Sequence, residues 1–252
     1  LVSGGPPCQS FSLAGKREKN NAKNLLPLSF AKFVGLVNPK FVILENVKGI
    51  TAPFTEKGKK YHAWFEVAKA FALEGYVTLC MLLNSKFFGV AQNRPRFILL
   101  ALRKDIAKKL YTLKKTPLIK EAIDFYADVQ KNSENLENVK LESLKYYDIE
   151  TFQTMYDGFL FPKMTTPEGC FISAAEAIGD LKRIDGKVSF SKTRVVYRDF
   201  LNSIFPNSNH NKDQKLYNHE PRKHSYDVKA RFQLYQIIKD LKNGNKKLAV
   251  EA

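Results

Sequence analysis

Phe41-Val42-Ile43-Leu44-Glu45-Asn46-Val47 decides how the chain is read. Its first four residues are apolar on both faces, which is what a strand buried between two layers of helix requires, because crossover helices cover both faces of a parallel sheet. On the amino-terminal side, Asn38-Pro39 stops a preceding helix, since a proline disfavours helical backbone in the residue before it. That helix carries Leu25, Leu28, Ala31, Phe33, Leu36 and Val37, with Asn24 as its cap. Earlier still, Leu1 to Ser3 reads as a strand end running into Gly4-Gly5-Pro6-Pro7, a sequence that neither a helix nor a ladder can continue. On the carboxyl-terminal side, a helix around Tyr61 to Leu73 ends at Gly75, and strands follow near Tyr76 to Leu83 and Arg96 to Leu102. Only a short loop separates those two strands, so they are expected to pair antiparallel. Residues 1–110 thus predict a partial doubly wound α/β sheet ending in an antiparallel strand pair, followed by a mostly helical region.

The pattern changes after residue 110. Residues 121–157 hold 3 basic and 9 acidic side chains, a net −6, and their periodicity is helical. Residues 111–160 are read as an acidic helical insert or linker, and residues 161–252 as a mixed region. Within the latter, Ser173-Ala174-Ala175-Glu176 is a capping box opening a short helix to Leu181. A longer helix is expected from near Ser225, with Val228, Phe232, Tyr235, Ile238 and Leu241 on one stripe and Gly244 closing it.

Composition limits the function classes. Of 252 residues, 44% are hydrophobic and 26% charged, which excludes a disordered or collagen-like chain. No apolar run approaches the ~18 residues of a membrane-spanning helix, so no membrane partner is expected. The net charge of +16 is uneven: residues 1–110 hold 18 basic and 6 acidic groups (+12), and residues 158–252 hold 17 and 10 (+7). Such a basic block favours a polyanion, and nucleic acid before a lipid surface, because no basic amphipathic helix accompanies it. Cys8, Cys80 and Cys170 lie far apart without a Cys-x-x-Cys pair, so neither zinc nor another structural metal nor a disulfide framework is indicated. A reducing, cytoplasmic setting is the simplest home.

Three segments carry chemistry, each at the end of an expected strand, where open α/β sheets place ligands. In Pro6-Pro7-Cys8-Gln9-Ser10-Phe11-Ser12, Cys8 follows two prolines in a polar loop with Lys16 and Arg17 close in sequence. Exposure and a cationic setting favour the thiolate, whereas most lone cysteines are small buried apolar residues. Glu45 ends an apolar strand, where desolvation is expected to raise its pKa and suit it to hold a proton near neutrality. In Gln92-Asn93-Arg94-Pro95-Arg96 the two arginines, at i and i+2 on extended backbone, share a face and can aim into one pocket or at one phosphate.

In combination and order these segments resemble the cytosine carbon-5 DNA methyltransferases, whose motifs are a Pro-Cys-Gln nucleophile loop, a Glu-Asn-Val strand end and a Gln-x-Arg-x-Arg segment. All three stand intact as Pro7-Cys8-Gln9, Glu45-Asn46-Val47 and Gln92-Asn93-Arg94-Pro95-Arg96. Ala177-Ile178-Gly179-Asp180-Leu181 and Asn218-His219-Glu220-Pro221-Arg222-Lys223-His224-Ser225 are looser matches to segments that many bacterial members carry between the catalytic core and the target-recognition region. The resemblance implies a Rossmann-like methyltransferase fold for residues 1–110 and places residues 161–252 on the way to the target-recognition domain.

It also implies transfer of a methyl group from S-adenosylmethionine to carbon 5 of cytosine in double-stranded DNA, as part of a bacterial restriction-modification system acting at the nucleoid. The implied catalytic residues are Cys8, the nucleophile at carbon 6; Glu45, at ring nitrogen 3 and the amino group; Arg96, at the ring carbonyl; and Arg94, at the thiolate loop or a flanking phosphate. Pro7 would touch the cofactor, and Gln9, Ser12, Lys16 and Arg17 would touch the DNA, with the target base flipped out of the duplex.

The Gly-rich strand-turn-helix and ribose-binding acid of the family are not found in the sequence, so the cofactor site is expected to be incomplete. The chain is accordingly read as an internal portion of a methyltransferase, with a separate N-terminal methyltransferase chain as a candidate partner. Two other readings compete. One is a truncated or split, catalytically incomplete subunit that binds DNA or a partner chain. The other is a cysteine hydrolase pairing Cys8 with His62, His210, His219 or His224.

Overall fold

The structure, a computed structural model, describes residues 1–7, 25–56, 58–157, 160–166, 169–174, 177, 183, 184, 187, 188 and 225–240. Two units are distinguished, Leu1–Ile204 and Phe205–Ala252. The first contains a five-stranded mixed sheet. Its strands are β1 (Val2–Gly4), β2 (Phe41–Val47), β5 (Tyr76–Asn84), β6 (Pro95–Arg103) and β7 (Tyr146–Asp148), in the order β1-β2-β6-β5-β7. β1 runs parallel to β2, with Val2 beside Val42 and Gly4 beside Leu44. β6 lies between β2 and β5 and is antiparallel to both. β7 adds parallel to β5, with Cys80 beside Tyr146. The carboxyl ends of β1, β2, β5 and β7 therefore share one edge of the sheet with the amino end of β6. The expected antiparallel pair is present, although its second strand has inserted between the other two.

Burial along β2 alternates. Val42, Leu44 and Asn46 are buried, Ile43, Glu45 and Val47 are half-buried, and Phe41 is exposed. One face of the sheet is thus sealed by helices α1 (Leu26–Val37) and α2 (Ala63–Leu73), whose Ala31, Val34, Trp64, Ala68 and Phe71 pack with Val42, Leu44, Phe97 and Leu99. The other face of β2 is less covered among the described residues.

Helix α1 ends where Asn38-Pro39 predicted, with Asn38 in the left-handed conformation. Its first turn has Leu25, which carries no side-chain acceptor, at the cap position, and Pro27 in that turn removes one of the N–H groups left to be satisfied. Asn24 lies outside the described residues.

The second helix starts two residues later than expected. Phe54–Glu56 (β3) and Lys59–Tyr61 (β4) form a hairpin that turns through Gly58 at φ +77°, and the Phe54 and Tyr61 rings meet at 4.8 Å. Tyr61 thus belongs to a strand, not to the helix.

After β6, helices α3 (Lys104–Lys114) and α4 (Pro117–Lys131) cross the sheet. Phe125 and Val129 of α4 join the core under α2, while Leu118 and Ala122 pack with Val77, Leu79 and Met81 on the opposite side of β5. Of the residues 111–160 read as a helical insert or linker, 111–114 and 117–131 are helical, whereas short 3-10 turns and β7 follow. Tyr146–Asp148 is a strand that the sequence pattern did not announce, because its three residues show no usable alternation. A two-residue pair, β8 (Arg183–Ile184) with β9 (Lys187–Val188), follows. Most of the expected helix from Ser173 to Leu181 lies outside the described residues.

In the second unit, α5 (Tyr226–Asp240) begins beside Ser225 as expected. Phe232, on its expected apolar stripe, is 57% exposed. Leu241 and Gly244 are not among the described residues.

Candidate active site

The sequence folds three polar strand ends onto one edge of the sheet. At the end of β1, Gly4 passes so close to α1 that a Cβ there would stand 2.6 Å from the Phe30 ring. The next glycine makes a different contact. A Cβ on Gly5 would come within 3.3 Å of Glu45 Oε2, so the bare backbone at Gly5 gives the carboxylate its space. Asn46, 1% exposed, donates from Nδ2 to the Pro6 carbonyl at 3.3 Å, while its Oδ1 accepts from the Val47 N–H at 2.9 Å. The Gly-Gly-Pro-Pro turn is thereby tied to β2, and Pro7 stands exposed at its end.

Register brings in the third segment. In the β2–β6 ladder Glu45 is opposite Ile98, and Val47 is opposite Arg96. Glu45 and Arg96 are therefore diagonal neighbours on one face, within reach of long side chains. Arg96 Nε lies 2.7 Å from Glu45 Oε1, and Arg96 Nη1 donates to the Pro95 carbonyl at 2.9 Å. The Glu45 side chain is 46% exposed and that of Arg96 23%. The expectation of a carboxyl desolvated by apolar neighbours is thus not met. Strand alternation turns Leu44 and Asn46 into the core and sends Glu45 to the open face, where its neighbour is a guanidinium.

Arg94 is exposed, one residue before β6, and its backbone N–H donates to Asn84 Oδ1 at 3.1 Å. The structure therefore brings Gly5, Glu45 and Arg96 together, with Pro7 and Arg94 on the same edge. Cys8, Gln9, Ser12, Lys16 and Arg17 lie outside the described residues, as do His210, His219 and His224.

Other titratable groups play different parts. Cys80, fully buried in β5, has its thiol pushed up by desolvation, so it stays a protonated, inert core residue. His62, at the start of α2, is held below its ordinary pKa by burial first and by the Lys60 charge second, with Glu66 acting in the opposite sense. Among the described residues no group of three or more His, Cys, Asp or Glu side chains is arranged to hold a metal ion. Among the same residues no helix is long and apolar enough to cross a membrane.

Sequence reasoning missed Asn84, Ser85 and Glu150 at this edge. Asn84 Nδ2 donates to Asn93 Oδ1 at 2.7 Å and to Glu150 Oε1 at 3.0 Å, and Ser85 Oγ donates to the Gln92 carbonyl at 2.6 Å. A polar residue closing the apolar run Tyr76–Leu83 was a usable signal for Asn84. Nothing in sequence marks Glu150, which arrives from 66 residues downstream.

The profile of the C-5 cytosine-specific DNA methylase family matches residues 1–247. Among curated proteins, the chain is 38% identical over 104 residues to the Type II methyltransferase M.DdeI of Desulfomicrobium norvegicum, covering 41% of this chain and 25% of that protein. It is 40% identical over 113 residues to the Type II methyltransferase M.XorII of Xanthomonas oryzae pv. oryzae, covering 44% and 26%. The chain thus spans about a quarter of the length of these relatives. The crystal structure of the Schizosaccharomyces pombe Dnmt2 methyltransferase aligns over 41% of this chain and 29% of its own, at 20% identity and a TM-score of 0.29.

Proposed function

Because the chain belongs to the C-5 cytosine-specific DNA methylase family, we propose that it acts in methylating carbon 5 of cytosine in double-stranded DNA, with Cys8, Glu45, Arg94 and Arg96 as catalytic residues. The observation that carries this reading is the Glu45–Arg96 pair, 2.7 Å apart at the carboxyl end of β2 and beside the bare backbone of Gly5. A carboxylate and a guanidinium held side by side match one edge of a cytosine ring, which offers an amino group, a ring nitrogen and a carbonyl oxygen.

Carbon 5 of cytosine is too electron-poor to take an alkyl group unaided. The Cys8 thiolate adds to carbon 6, the carbon–sulfur bond forms, and the electrons of the 5,6 double bond load carbon 5 and the ring oxygen and nitrogen. Arg96 meets the charge growing on the carbonyl oxygen, and Glu45, protonated or sharing a proton, donates to nitrogen 3 and accepts from the amino group. Arg94 steadies the thiolate loop or a flanking phosphate. Gln9, Ser12, Lys16 and Arg17 hold the duplex around the flipped base.

The family's methyl donor is S-adenosylmethionine, and Pro7 is the residue here that would touch it. Glycines 4 and 5 leave room at the end of β1, but the acid beside that turn, Glu45, is paired with Arg96, so these residues fit only a corner of such a site and no step is drawn through the cofactor. Among the described residues β1 pairs with β2 alone, which leaves its other edge open to a further strand. A separate N-terminal methyltransferase chain pairing there would bring the rest of the cofactor site. The setting we propose is a bacterial restriction-modification system acting on nucleoid DNA in the cytoplasm.

Thiolate addition alone makes carbon 5 basic, so its hydrogen should exchange with solvent deuterium without any methyl donor. The full chain is expected to catalyse that exchange in a cytosine-containing duplex, and Cys8→Ser and Glu45→Gln are expected to abolish it. Exchange that persists in Cys8→Ser would overturn the assignment.

A further inference from the structure

The ladder between β5 and β6 weakens where Arg96 is aimed. The last pair in register is Asn84 with Pro95, and a proline has no N–H to donate. A side chain supplies what the ladder lacks. Asn84 is 2% exposed and all four of its amide hydrogen-bonding positions are used. Its Oδ1 accepts from the backbone N–H of Arg94 at 3.1 Å and from that of Lys86 at 3.4 Å. Its Nδ2 donates to Asn93 Oδ1 and to Glu150 Oε1.

Glu150 sets which way this amide points, because the reverse orientation would turn Oδ1 against a carboxylate. Glu150 is itself held in place. The Ile149 N–H donates to the Leu82 carbonyl at 3.0 Å, continuing the β7 pairing, and Lys86 Nζ donates to Glu150 Oε2 at 3.0 Å. Burial raises the Glu150 pKa, but the hydrogen bonds from Lys86 and Asn84 and the charges of Lys86 and Lys48 outweigh it, so the carboxyl is held below its ordinary pKa and is ionised at neutral pH.

We propose that Asn84, anchored by Glu150, is a positioning residue that fixes the Arg94–Arg96 segment so that Arg96 meets Glu45. The role of that pair rests on the function proposed above, whereas the positioning itself does not. The short edge strand β7 and the turn that follows it, remote in sequence, thus act on the site through one amide. A misplacement of about 1 Å at a reacting centre costs up to ~10²-fold in rate, so such an anchor is worth keeping.

The test is nuclear magnetic resonance of the ¹⁵N-labelled full chain, following the Arg96 Nε–H and the Arg94 amide. Asn84→Ala is expected to move both signals. Glu150→Ala should move them in the same direction, and because the Glu150 side chain is 44% accessible its loss should not unfold the protein. Glu150→Gln keeps an oxygen to accept from Asn84 Nδ2 and should leave both signals in place, a rescue that a merely destabilising change would not show. Unmoved signals in Glu150→Ala, or signals in Glu150→Gln that move as they do in Glu150→Ala, would overturn the proposal. Deuterium exchange at cytosine carbon 5, run alongside, should fall tenfold or more in Asn84→Ala at unchanged DNA affinity. A wild-type chain that exchanges nothing counts against the base-binding reading and leaves the resonance result to decide the positioning.

Discussion

Two adjacent glycines do different work at the end of β1. Gly5 clears space for a carboxylate, and Gly4 clears space for an aromatic ring, since the Phe30 edge lies where a Cβ would stand. Phe30 is not free to retreat, because its ring meets Phe71 of α2 edge-on at 6.1 Å and Phe71 is fully buried. Gly4→Ala is therefore expected to cost about 1–3 kcal/mol through overpacking, read as a lower midpoint in urea unfolding at an unchanged slope. A variant as stable as the parent would mean that α1 yields without cost. Both glycines stood in the sequence as loop formers. Their partners did not, because each is brought to the site by a different element.

At the scale of elements, the turn from β6 into α3 has its own electrostatic clasp. Arg103 Nε donates to Asp105 Oδ1 at 2.7 Å and Arg103 Nη2 to Asp105 Oδ2 at 2.9 Å, a forked pair in the first turn of α3. The hydrogen bonds from Arg103, more than its bare charge, hold the Asp105 carboxyl down to about 2 against an ordinary 3.8. A carboxyl whose folded pKa is depressed contributes its stability in full above the unfolded value, and loses it as pH falls through the folded one. The contribution of Asp105 should thus fade between about pH 4 and pH 2 and be missing at every pH in Asp105→Asn. Following the carboxyl carbon by resonance should give a midpoint near 2, and one near 4 would show that the clasp is open in solution. The site elements show a related division between sequence and structure. The length and polarity of β2 are readable from Phe41 to Val47, whereas nothing in the pattern marks the hairpin of Phe54–Tyr61, whose last residue, Tyr61, fits the helical period as well.

For the whole molecule, charge is the property that sequence reports most directly. The first 110 residues carry +12 and residues 121–157 carry −6, so DNA affinity is expected to reside in the former and to fall steeply with salt. On duplex DNA the logarithm of affinity falls against the logarithm of salt by roughly 0.9 for each phosphate neutralised. Replacing Lys16 and Arg17 with Ala should flatten that slope by about one to two units with little change in sequence preference, whereas Glu45→Gln should leave it unchanged. An unaltered slope in the double variant would place the phosphate contacts elsewhere. The amino-acid sequence by itself determined the alternation of strands and helices, the antiparallel pair and the three motifs, because strand period, proline and glycine stops and apolar runs act over a few residues. Tertiary structure alone decided that Arg96 falls diagonal to Glu45, that Glu45 faces a guanidinium instead of an apolar wall, and that Asn84 and Glu150 meet from 66 residues apart. Those outcomes depend on strand register and on which strand inserts between which, and no local pattern in the chain encodes them.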